Sequence, residues 1–231
     1  MLAVNATGQS ASGARLTVNR HWLLSFFDDS KDVAAHANAI KAVAGEELGF
    51  ALLLEYFRRK GIVAESGPRS WTTGKAKGPR LDGWVVVTLP SGSDVYYQVE
   101  VKTWSQHSLS GRRLPVSAPS VDLSEFKKER WRRYWLENTF KDKELAKVLI
   151  PMEPPGPGVV AEPLACLWDA VHHTGGDDSF FTVMLPAGGH FDKVHVFSMS
   201  GFLRGLADET LELELPDTRE RLNWLSKIFR Q

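Results

Sequence analysis

The 231-residue chain has one cysteine, Cys166, no net charge and no long apolar run. A single thiol excludes an internal disulfide framework and any cysteine-based zinc cluster. It suits a reducing cytoplasm, the expected compartment. No stretch approaches the roughly 18 apolar residues of a membrane-spanning helix, so no membrane is expected as a partner. Residues 1–13 are small and polar and lack the charged start and apolar run of a signal peptide. Residues 1–14 are therefore expected to be a flexible tail. Nothing repeats at a fixed period. With 28 Lys and Arg against 28 Asp and Glu, the chain is not a polycationic tail-like protein. With 43% hydrophobic residues and eight tryptophans, it is not a disordered acidic chain either.

What is present suffices for one large core, and residues 15–231 are expected to form a single domain. Its zero charge is a sum of unequal parts. Residues 1–57 carry 4 basic and 6 acidic side chains, residues 58–147 carry 18 and 10, and residues 148–231 carry 6 and 12. A basic centre between acidic flanks suits a polyanionic partner, although clustered Lys and Arg are more often plain solvated surface.

The apolar stretch 16–27 reads as a strand or a short helix. Helices are expected over 32–44 and 45–60, the second closed by Arg58, Arg59 and Lys60 at the negative end of its dipole and by Gly61 just beyond. A short strand over 62–64 leads into an irregular loop over 66–79. Valine-rich strands over 81–89 and 95–102 flank Pro90-Ser91-Gly92-Ser93, a hairpin signature. A loop over 105–120, a basic aromatic helix over 122–140 and a buried strand over 145–150 follow. Further strands are expected over 164–170, 180–185 and 194–197. Asp217 and Glu220 form a capping box before a terminal amphipathic helix. Strands mixed with helices imply an α/β fold with a central mixed β-sheet flanked by helices.

The hairpin carries the chemistry. Side chains alternate along a strand, so Gln98, Glu100 and Lys102 share one face, with Val99 and Val101 on the other. Charges on an otherwise apolar strand are costly unless paired or bound to metal. A turn centred near Ser91 and Gly92 sets Asp82 opposite Glu100, give or take one residue. Two facing carboxylates repel unless a proton or cation lies between them. Mg2+ or Mn2+ suits such oxygen donors. On the helix over 45–60, Glu46 shares the stripe of Phe50, Leu53 and Phe57, at spacings of 4, 7 and 11. It should therefore face the sheet, whereas Glu47 should sit with Arg58 on the polar flank.

This order resembles the PD-(D/E)XK nuclease superfamily, whose fold is restriction-endonuclease-like: a helix with an acid, a strand with Asp, a turn, then Glu-x-Lys. The resemblance covers residues 45–102, about a quarter of the chain. Leu81 stands where the family motif has proline. The resemblance implies a metal-dependent phosphodiesterase, with Asp82 and Glu100 as metal ligands, Lys102 as the catalytic lysine and Glu46 as the helical acid. Gln98 and Glu47 are accessory candidates. It further implies a nucleic-acid substrate, most readily DNA, in restriction, defence or repair. A homodimer or a larger defence or repair complex is compatible with cutting both strands.

Basic side chains on both sides of the hairpin are placed to reach phosphates: Lys75, Lys77 and Arg80 before it, Arg112, Arg113, Lys127, Lys128 and Arg132 after it. His172, His173, His190 and His195 lack the spacing of a helical metal pair and read as structural. Two other readings stand beside the nuclease. One is a catalytically inactive nucleic-acid-binding or protein-interaction module on the same fold. The other is a purely structural ion-pair network.

Overall fold

The computed structural model describes residues 14–28, 35–67, 81–102, 151, 155–168, 170, 178–184 and 190–215, with 14, 26–28 and 35–44 through the backbone alone. The expected helix over 122–140, the strand over 145–150, the capping box and the terminal helix lie outside these residues. So does the expected tail, except Ala14, which opens the first strand.

The ambiguous stretch 16–27 contains both alternatives. Strand β1 (Ala14–Asn19) passes directly into helix α1 (Arg20–Asp28). Asn19 makes the switch, because its Oδ1 accepts a hydrogen bond from the Trp22 amide at 3.1 Å and so caps the new helix. The two helices expected over 32–60 are one, α2 (Ala35–Arg59). Gly45 was taken as a boundary, but one interior glycine costs only about 1 kcal/mol relative to alanine, and tertiary packing carries the helix through it. The helix ends where expected. Gly61 adopts φ +70°, and the Ile62 amide reaches back to the Phe57 carbonyl at 2.9 Å.

Strands β2 (Val63–Ser66), β3 (Gly83–Thr88), β4 (Asp94–Lys102), β5 (Ala161–Leu167), β6 (Phe180–Met184) and β7 (Lys193–Ser198) form one sheet in the order β2-β3-β4-β5-β7-β6. The β2–β3, β3–β4 and β6–β7 pairs are antiparallel, and the β4–β5 and β5–β7 pairs are parallel. This is an α/β structure around a mixed six-stranded sheet. The β3–β4 turn uses Gly92 at φ +82°, where a side chain would be strained.

Two elements follow that were not anticipated. Ser198 caps the short helix α3 (Met199–Gly205), its hydroxyl accepting from the Gly201 amide. Strand β8 (Thr210–Leu215) pairs antiparallel with β1, turning Leu211 and Leu213 into the core and Glu212 and Glu214 outward.

Helix α2 lies between the six-stranded sheet and the β1–β8 ribbon, touching β2 and β4 on one side and β8 on the other. It is therefore apolar on more than one face, and Leu48, Phe50, Ala51, Leu52 and Leu53 are all buried. Buried Glu55 is held by Arg58 at 2.6 Å and Arg59 at 2.7 Å, and Arg59 continues to Asp208 at 2.8 Å. Burial raises the Glu55 pKa, but the two guanidiniums outweigh it and hold the carboxyl below its ordinary range.

The helix rests on the sheet at two glycines. A Cβ on Gly49 would stand 2.5 Å from Val101 Cγ1, and one on Gly83 would stand 2.4 Å from Phe50 Cζ. Val101 is β-branched and 4% exposed, so it has nowhere to turn. Gly49→Ala should therefore destabilise the fold by about 1–3 kcal/mol despite the better helix propensity of alanine. Urea unfolding measures this. Combining it with Val101→Ala should cost less than the sum of the two single changes.

Candidate functional site

Gly83 pairs with Val99 and Trp84 with Gln98, so the hairpin register carried outward one residue sets Asp82 opposite Glu100. The ladder itself ends at Gly83 and Val99, so the expected Asp82–Glu100 pairing lies one step beyond it. The ladder of β3 starts at Gly83, not Leu81, because the Asp82 carboxylate, rather than a main-chain carbonyl, takes the Val101 amide. That bond runs from Val101 N to Asp82 Oδ2 at 2.7 Å.

Val101 faces Gly49 and Gly83 faces Phe50, so these residues point toward α2. By alternation Asp82, Gln98, Glu100 and Lys102 belong to the other face of the sheet. Glu100 is 2% exposed, and its Oε1 stands 2.7 Å from Lys102 Nζ, itself 16% exposed. Gln98 is fully buried. Glu100 needs its ammonium, because a carboxylate taken out of water alone is strongly disfavoured. The negative charge of Asp82 is felt at the buried thiol of Cys166, whose pKa burial first, and Asp82 second, push well above the ordinary value.

The helical acids differ from expectation. Glu47 is the buried one, at 5% exposure, and Glu46 is half-buried. Arg58 pairs with Glu55, not with Glu47. The expectation assumed a helix with one polar flank, whereas α2 is covered on two sides. Gly49 lies on Val101 and Phe57 stacks on Tyr97, so α2 runs antiparallel to β4. Glu46 and Glu47, just before Gly49, therefore lie toward the end of β4 that carries Lys102, although α2 meets the opposite face. Lys75, Lys77, Arg80, Arg112, Arg113, Lys127, Lys128 and Arg132 lie outside the described residues.

Asp82, Glu100 and Lys102 thus bring carboxyl oxygens and an amine to this end of the hairpin. Among the described residues, no three or more His, Cys, Asp or Glu side chains are grouped to hold a metal ion. Mg2+, however, is commonly held by one or two carboxylates, with water and substrate phosphate completing its shell. The all-oxygen pair Asp82 and Glu100 fits that chemistry. No helix among the described residues is long and apolar enough to cross a membrane. No family model, curated protein or solved structure matches the chain.

A second polar group lies elsewhere and had no signature in the sequence. His195 of β7 stands opposite Thr182 of β6, and its Nδ1 is 3.0 Å from Thr182 Oγ1. Its Nε2 is 2.5 Å from Glu162 Oε2 of β5, and Lys193 Nζ is 2.8 Å from Glu162 Oε1. The ring packs against Tyr97 and Phe180, at centroid distances of 5.1 and 5.8 Å. Three strands supply these side chains, so no local spacing betrays them. Burial holds the His195 pKa below its ordinary value, with Lys193 acting in the same direction and Glu162 opposing. Burial also raises Glu162, but Lys193 and His195 outweigh it and bring the carboxyl below its usual range. The Tyr97 hydroxyl is pushed up to about 12 by burial and by Glu162.

Two predictions follow from these networks. Lys102→Met strands a buried carboxylate and should destabilise the protein by about 3–5 kcal/mol. Adding Glu100→Gln should recover much of that loss in denaturant melts. A depressed histidine or carboxyl pKa gives stability that is present above the unfolded value and lost on acidification. Between pH 7 and 8 stability should therefore be flat, then fall as pH drops below about 6.5 through His195, and fall again below about 4.5 through Glu162 and Glu55. Urea midpoints from pH 8 to 4 test this, and His195→Gln should flatten the first step.

Proposed function

We propose that the chain is a metal-dependent nuclease of the PD-(D/E)XK type, restriction-endonuclease-like in fold, hydrolysing phosphodiester bonds in DNA. One observation carries the proposal. Asp82, one residue outside the β3–β4 ladder, accepts from the Val101 amide next to Glu100, and Glu100 is ion-paired to Lys102. Charge on a buried strand is costly, and such a cluster marks a candidate functional site. The mixed sheet and the approach of α2, with Glu46 and Glu47, toward the same strand end agree with it.

A divalent cation held by Asp82 and Glu100 would supply Lewis acidity to a phosphoryl oxygen and lower the pKa of a bound water. The protein's own part is positional. The Val101 amide donates to Asp82, so the main chain helps to fix that carboxylate. Lys102, held by Glu100, sets a positive charge where the phosphate gains negative charge in the transition state. Burial of Glu100 keeps the charges poorly screened.

A specific observation favours a second reading. Asp82 and Glu100 already have partners within the protein, so the network also works as a structural clasp in a nucleic-acid-binding or protein-interaction module.

The two readings part in one experiment. Purified protein should cleave plasmid and linear DNA with Mg2+ or Mn2+, and EDTA should abolish cleavage. Glu100→Ala and Lys102→Ala, checked by circular dichroism, should lower the rate by roughly 10²-fold or more. Cleavage that survives both substitutions and chelation would place the activity elsewhere. DNA binding without cleavage would make the chain a binding module.

A further inference from the structure

We propose that Thr182, His195 and Glu162 form a second, nucleophilic site, in which the Thr182 hydroxyl accepts the acyl group of an activated ester. The three groups are separate from the proposed nuclease site. Glu162 pairs with Tyr97 on β4, five residues before Lys102, which is roughly 16 Å along the strand. Leu164, the register partner of His195 on β5, belongs to the core cluster shared with α2, so this group occupies the sheet face opposite Glu100.

The two ring contacts and the charge of Glu162 together select the tautomer of His195. Glu162 is held as a carboxylate and can only accept, so His195 Nε2 carries the proton of that contact. A buried histidine held below its ordinary pKa is neutral near pH 7, so Nδ1 keeps its lone pair and accepts from the Thr182 hydroxyl. The chain of bonds runs Thr182 O–H to His195, and His195 N–H to Glu162. That is a nucleophile, a general base and an orienting anion in sequence. Exposure is graded to match: Thr182 is open to solvent, Glu162 is part-buried, and His195 is 8% exposed.

The surroundings give the ligand class. Phe180 and Met184 flank Thr182 at alternate positions on β6, and Met184 is 70% exposed. Phe180 lies over the His195 ring. An ester with an apolar acyl or aromatic leaving group suits this surface. The step balances as follows. Thr182 Oγ1 bonds to the carbonyl carbon as its proton passes to His195 Nδ1. The carbon–oxygen bond to the leaving group then breaks, and the same proton goes to the departing oxygen. Water, deprotonated in turn by His195, cleaves the acyl-threonine to free acid and restores the hydroxyl. Glu162 offsets the transient imidazolium.

Thr88 supplies an internal control, because its hydroxyl donates to Asp94 at 2.8 Å rather than to an imidazole. The test treats the full chain with 4-nitrophenyl acetate, reads nitrophenolate release, and maps acetylation by intact-mass and peptide mass spectrometry. One acetyl group on Thr182 and none on Thr88 is expected, with a rate that falls as the pH drops through the histidine range. Thr182→Val should abolish that acetylation and Thr182→Ser should keep it. His195→Gln should slow it by roughly 10²-fold. Thr88→Val should leave it unchanged, because Thr88 lies on the Asp94 side of the β3–β4 hairpin. The proposal is overturned if acetyl groups appear only on lysines, if Thr182 is not modified, or if folded His195→Gln reacts as fast as the parent chain.

Discussion

Helix α2 lies on the sheet at a distance that only glycine permits. Gly49 meets Val101 and Gly83 meets Phe50, each at a separation that a methyl group could not share. Much of the rest depends on this contact. It fixes which face of β4 is apolar, and therefore sends Glu100 and Lys102 to the other. It also sets the direction of α2 along β4, which brings Glu46 and Glu47 toward the end of the strand where those charges lie. With the sheet on one side and the β1–β8 ribbon on the other, the helix buries nearly all its middle turns.

The sheet keeps its two polar groups apart, at different strand ends and on different faces. Each solves the cost of buried charge in its own way. At the Lys102 end, a carboxylate is matched by an ammonium two residues along the same strand, and a second carboxylate is pinned by a main-chain amide. At the Glu162 end, one carboxylate answers two bases on a neighbouring strand, and a neutral imidazole links it to a hydroxyl. The first arrangement gathers carboxyl oxygens at a strand end. The second is nearly balanced and suits proton movement.

The hairpin was legible in the sequence because its signals are local. Turn residues 90–93 fix the register, which runs from Thr88 and Asp94 to Gly83 and Val99. Gly61 closing α2 was legible for the same reason. The failures are tertiary. Gly45 looked like a break, but packing from both sides carries the helix through. The choice of Glu46 over Glu47 rested on a single buried stripe, and a helix covered twice has no such stripe. Strand β8 alternates cleanly as Thr-Leu-Glu-Leu-Glu-Leu, yet its partner β1 lies at the far end of the chain, so nothing nearby announced a pairing. His195 acquires meaning only from β5 and β6, and no spacing within β7 could show that.

Cys166 ends as more than an excluded disulfide. It is the chain's one thiol, it lies beside Val101 in the β4–β5 ladder, and it is wholly buried. Its raised pKa keeps it protonated and inert in the closed sheet. A thiol reagent can reach it only when the core between α2 and the sheet opens, next to Val101. The native sequence thus contains a single-site clock for the opening of its own core, one that needs no engineered label and keeps time on the strand next to the candidate chemistry.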